Sequence, residues 1–134
     1  GHGVSEDHAL KLATASLLME ISRADHHISK PERQTMAKLV SKVYELDKDE
    51  ALELMLEAEI TSNDSVSLHE FTRVLNENLS REERVKIIEM LWLVAYADGD
   101  IDQYEDYYVR KIADLIHVSH SDFIRMKHRV LGTD

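Results

Sequence analysis

Five short strings constrain this chain more than any other feature of it. Each is a Ser or Asp followed three residues later by Glu: Ser29-Lys30-Pro31-Glu32, Asp47-Lys48-Asp49-Glu50, Ser67-Leu68-His69-Glu70, Ser80-Arg81-Glu82-Glu83 and Asp102-Gln103-Tyr104-Glu105. The first side chain of such a string accepts a hydrogen bond from a free N–H of a helix's first turn, and the Glu reaches back to the amide of the first residue. Ser119 with Asp122 is a weaker version. Val66 with Phe71 and Val118 with Phe123 have the spacing of a hydrophobic staple, and Pro31 falls in a first turn, where its missing N–H costs nothing. So many helix starts in 134 residues leave little room for anything but helices.

Apolar periodicity agrees. Leu10, Ala13, Leu17, Ile21 and Ala24 share one face of a 3.6-residue period, as do Met36, Leu39, Val40 and Val43, and Val109, Ile112, Ala113 and Ile116. The pattern predicts an all-α fold, a compact single domain of about seven helices near 5–23, 30–44, 48–60, 68–77, 81–97, 103–116 and 120–131. Residues 4–134 are expected to form the domain, with Gly1-His2-Gly3 set aside as a cloning remnant. The helix over 81–97 is apolar nearly all round from Ile87 to Ala97, which predicts a central place with Leu91, Trp92, Val94 and Ala95 buried. Trp92 reads as core filling rather than a ligand platform.

Charge narrows the function. Lys and Arg number 16 against 26 Asp and Glu, a net charge of −10. A surface so acidic repels nucleic-acid phosphates and anionic membrane, and attracts cations and basic proteins. The absence of cysteine excludes disulfides, thiolate zinc sites and a cysteine nucleophile. The longest apolar stretch, Ile87–Ala97, is far short of the ~20 residues that span a bilayer, and no leader peptide is visible at the start of the chain. The expectation is a cytoplasmic protein without membrane insertion.

The sequence also repeats itself. Ala24-Asp25-His26-His27-Ile28-Ser29-Lys30-Pro31-Glu32 aligns with Ala97-Asp98-Gly99-Asp100-Ile101-Asp102-Gln103-Tyr104-Glu105 at an offset of 73 residues. The units around 18–45 and 91–118 are expected to form two pseudo-symmetric helical halves. Each turn looks like the second half of an EF-hand loop, but the first half lacks its carboxylates, so neither turn is a complete one. A third partial match, Glu59-Thr61-Asn63-Ser65-Ser67-Glu70, has Asp64 where the loop needs glycine.

The second turn concentrates Asp98, Asp100, Asp102 and Glu105 without a basic residue. Such charges repel unless a cation, water or helix dipole compensates, and hard cations take oxygen ligands of this kind. The first turn offers Asp25 and Glu32, with His26 and His27 suited to a softer metal. The candidate metal residues are therefore Asp25, Glu32, Asp98, Asp100, Asp102 and Glu105, for calcium or magnesium. A capping role accounts equally for Ser29, Glu32, Asp102 and Glu105, while Asp100 has no capping duty. His117, His120 and His128 read as surface residues, and Arg125, Lys127, His128 and Arg129 as a solvated basic face or partner contact. No phosphate loop, nucleophile elbow or paired-His motif is present, so no enzyme is expected.

The repeated Ala-Asp-x-x-Ile-x-x-x-Glu turn, with the run Leu91-Trp92-Leu93-Val94-Ala95-Tyr96-Ala97-Asp98-Gly99-Asp100-Ile101-Asp102 continuing through Glu105 and Arg110-Lys111-Ile112-Ala113-Asp114, resembles the TerB-like tellurite-resistance family over about Ser5 to Val130. The resemblance implies a compact all-helical domain, a cytoplasmic role in metal or oxyanion stress, and protein partners, including a membrane-associated complex. It carries the family's acidic turn residues onto Asp25, Glu32, Asp98, Asp102 and Glu105. A chain of this charge repels an oxyanion such as tellurite, so the expected ligand is a divalent cation, bound weakly. The alternative is a metal-independent scaffold that recognises a basic protein partner, and self-association into a homo-oligomer is open to either.

Overall fold

Helix starts and apolar faces together set the architecture. In the computed structural model, the backbone is described for residues 2–23, 28–63 and 68–132. These residues form α1 (His2–Arg23), α2 (Lys30–Tyr44), α3 (Lys48–Asn63), α4 (Leu68–Asn78), α5 (Arg81–Ala95), α6 (Gln103–Leu115) and α7 (His120–Leu131), and no strand occurs among them. Full capping boxes open α2, α5 and α6, at Ser29, Ser80 and Asp102. At α3 both reciprocal bonds are also made: Glu50 N–H donates to Asp47 Oδ1 at 2.8 Å and Asp47 N–H to Glu50 Oε1 at 3.0 Å. The proposed caps at Ser67, and the staple residue Val66, lie outside the described residues.

Three boundaries differ from expectation by more than one residue, one of them the end of α3, at Asn63 rather than 60. Helix α1 begins at His2, so it takes in residues set aside as lying outside the fold. Helix α5 stops at Ala95 rather than 97. There Tyr96 N–H still donates to Trp92 O at 2.9 Å, but Ala97 N–H bonds Val94 O and Gly99 N–H bonds Tyr96 O, tightening the chain out of the helix. Gly99 then adopts φ 90, which reverses the chain toward α6; a side chain there would be strained.

The centre of the molecule is shared. Helix α5 buries Ile87, Ile88, Met90, Leu91, Trp92, Val94 and Ala95, as its sequence predicts. Trp92 is fully buried, lies 5.1 Å from the Phe123 ring of α7, and donates its Nε1–H to Phe123 O at 3.2 Å. Helix α1 is equally central. It packs against α2, α3, α4, α5 and α6, and its stretch from Ala13 to Met19 is buried without interruption. Small side chains there let neighbours approach closely, and Thr14 satisfies its hydroxyl on Leu10 O at 3.0 Å and Tyr44 Oη at 2.6 Å.

Candidate functional site

The two repeated turns meet in space. Ser29 caps α2 with φ −73 and ψ 162, and Asp102 caps α6 with φ −81 and ψ 171. Ser29 Oγ accepts from Glu32 N at 3.2 Å, while Ser29 N–H donates to Glu32 Oε1 at 3.0 Å. Asp102 Oδ1 accepts from Glu105 N at 2.8 Å, and Asp102 N–H donates to Glu105 Oε1 at 3.1 Å. Across the repeat, Ser29 Oγ–H donates to Asp98 Oδ1 at 2.8 Å. Met36 and Val109, one turn further along their helices, are both fully buried.

The reciprocal caps pull both Glu side chains inward. Glu32 is 2% and Glu105 5% exposed, although both are charged residue types in first turns. Glu32 lies close enough to Glu105 for its carboxyl group to raise the Glu105 pKa. Burial above all raises the Glu105 pKa to about 8; the backbone N–H of Asp102 opposes this, and the charges of Asp102 and Glu32 add to it. Glu105 therefore favours its protonated form at neutral pH. The positive ends of the α2 and α6 dipoles converge on the same corner and offset part of the remaining negative charge.

The other predicted ligands are arranged less tightly. Asp98 is exposed and held by Ser29. Asp102 is half-buried and occupied by its cap, while Asp100 is exposed and makes no hydrogen bond or ion pair among the described residues. Asp25, with His26 and His27, lies outside the described residues. Asp106 is neutralised by Lys127 Nζ at 2.6 Å and Arg110 at 3.8 Å. Among the described residues, no group of three or more His, Asp or Glu side chains converges as a metal site. The sequence left open whether the turns form one site or two; the Glu32–Glu105 and Ser29–Asp98 contacts make one corner of them. A signal was available, since both Glu residues sit at the same place of the repeat, on the same helical face as buried Met36 and Val109.

The lesser candidates resolve as structural. Glu59, Thr61 and Asn63 of the third partial loop belong to helix α3, with Glu59 paired to Arg33, and Glu70 belongs to α4; Asp64, Ser65 and Ser67 lie outside the described residues. His120 stacks on Phe123 at 5.7 Å, and His117 takes a left-handed φ of 60 after α6. The basic patch of α7 is largely paired: Arg125 with Asp122, Lys127 with Asp106, and Arg129 with Glu89. No helix among the described residues is long and apolar enough to cross a membrane.

No curated protein and no solved structure shows significant similarity to the chain. The family model described as "Tellurite resistance protein TerB" matches residues 11–128, a span that includes both acidic turns and all or part of every helix, and the chain therefore belongs to the TerB family.

Proposed function

We propose that this chain is a non-enzymatic domain that takes a divalent cation, calcium or magnesium, weakly at the corner where α2 and α6 begin, as part of a cytoplasmic response to metal or tellurite stress. One observation carries the reading: two carboxyl groups, one from each repeat, are buried within reach of each other, with acidic neighbours and no basic one acting on Glu105. Two carboxylates so close cannot both ionise comfortably, and a cation is one group that relieves them. The donor set is all oxygen, which suits hard cations. Each Glu commits Oε1 to its cap and leaves its second oxygen outside that bond. Glu32 and Glu105 would hold the ion, with Asp98, Asp100 and Asp102, and Asp25 of the first repeat, as the further candidate ligands. With only two converged carboxylates, affinity is weak, and it rises with pH as Glu105 gives up its proton.

Calorimetric titration of the folded protein with calcium, magnesium, manganese and zinc at millimolar levels tests this. Binding heat that disappears in Glu105→Gln is expected. Silence with all four ions ends the proposal.

A second reading is favoured by the completeness of the caps. Every polar atom that Ser29, Asp102 and the two Glu residues need for capping is already satisfied within the protein. On this reading the domain is a metal-independent scaffold whose acidic face takes a basic protein partner, within a membrane-associated complex. Capture of such a partner that is indifferent to chelator, yet lost in Asp98→Asn/Asp102→Asn, would favour it over the cation.

A further inference from the structure

Helix α3 carries a feature that the acidic corner does not explain. Leu52, Leu56 and Ile60 are spaced one turn apart and are 48%, 61% and 66% exposed. Their opposite face, Ala51, Leu54 and Ala58, is buried against the core. The helix is therefore apolar on both sides, and only one side is covered. Single exposed leucines are ordinary; three in one row on one helix are an unpartnered face.

Charge borders this row in an ordered way. On the α2 side a cleft runs beside Leu52, walled by Ala37, Lys38 and Lys48, with the Arg33–Glu59 ion pair next to it, so the edge is net cationic. Lys38 and Lys48 are exposed and make no ion pair among the described residues. On the α1 side lie Glu53 and Glu57, both exposed, with Glu57 reaching His8 of α1 at 3.0 Å. The surface is thus banded: cationic, apolar, anionic.

We propose that this face is an interface between two copies of this chain, with α3 packed on α3. A protein of net charge −10 repels its own copies on average, so association needs a place where its few unpaired cations meet its anions. The banded face supplies that place within itself. A two-fold axis running along α3 turns each copy so that Lys38 and Lys48 oppose the partner copy's acidic band, while the leucine rows meet between them. A two-fold axis across α3 instead sets cations against cations and acids against acids. The charge order therefore selects the arrangement with the two α3 helices running the same way, in which each residue of the row faces its own counterpart.

The absence of cysteine makes the test clean. Sedimentation velocity of the wild-type chain from micromolar to millimolar concentration is expected to show a monomer–dimer equilibrium. Leu56→Lys, helical by circular dichroism because the side chain is exposed, is expected to weaken it by about tenfold or more, since the two-fold places two Leu56 side chains, one from each copy, in the interface. Leu52→Cys and Ile60→Cys, treated separately with a short bis-maleimide, are each expected to crosslink to themselves. A wild-type chain that stays monomeric throughout overturns the proposal and leaves the face to a different partner. A dimer that Leu56→Lys does not weaken overturns it too, since its interface lies elsewhere. Crosslinking only when the two cysteine variants are mixed overturns the parallel arrangement.

Discussion

Replacing Glu105 by Gln tests the physics of the acidic corner without any ion present. The folded protein holds the Glu105 proton up to about pH 8, whereas an unfolded chain releases it near the ordinary 4.5. Between those limits the folded state binds more protons than the unfolded one, so stability falls as pH rises, by about 1.4 kcal/mol for each pH unit. The stabilising proton is fully retained in both states below about pH 4, and the whole loss has accrued once pH passes about 8. Integrated from about pH 5 to about pH 8, that slope gives a ceiling of about 4 kcal/mol, and water drawn into the corner on ionisation softens the loss to about 3 kcal/mol. For a chain of this size that is a fall of about 10 °C in Tm. Gln keeps an oxygen that can accept from the Asp102 N–H, so the cap survives, and it carries no charge to bury. Glu105→Gln is expected to match the wild type near pH 5 and to exceed it by about 3 kcal/mol at pH 8, measured by urea unfolding at each pH. Parallel pH profiles for the two proteins, or a variant weaker than wild type at pH 8, would refute the account of Glu105 as a buried, proton-holding acid.

Three further substitutions probe the scaffold around it. Ser80→Ala removes only a helix cap and is expected to cost about 1 kcal/mol, whereas Ser29→Ala removes a cap and the 2.8 Å bond to Asp98 and is expected to cost more; equal losses in parallel urea titrations would mean that the bond between the repeats contributes nothing. Trp92→Phe removes the Nε1–H donor to Phe123 O and part of a fully buried ring, and is expected to lower stability by about 1–3 kcal/mol; an unchanged unfolding midpoint would contradict the packing described here.

Much of the fold was legible because its determinants are local. A capping box acts over four residues, so Ser29, Asp47, Ser80 and Asp102 announced their helices without reference to the rest of the chain. The apolar girth of α5 likewise announced its burial. The burial of α1 was harder to read, because Thr14 and Ser16 look polar in sequence yet are wholly buried among neighbours. The exposed row Leu52, Leu56 and Ile60 was equally hidden. A helix apolar on two sides reads like any core helix until its neighbours show which side they cover.

The sequence by itself determined the all-helical class, the repeated acidic turns and the short-range bonds that open α2 and α6. Only the tertiary structure decided that those openings face one another. Joining Ser29 to Asp98 and Glu32 to Glu105 requires residues about seventy positions apart to be brought together by the packing of α1, α2, α5 and α6. A carboxyl group's proton affinity depends on burial and on neighbouring charge, and neither exists until that packing does.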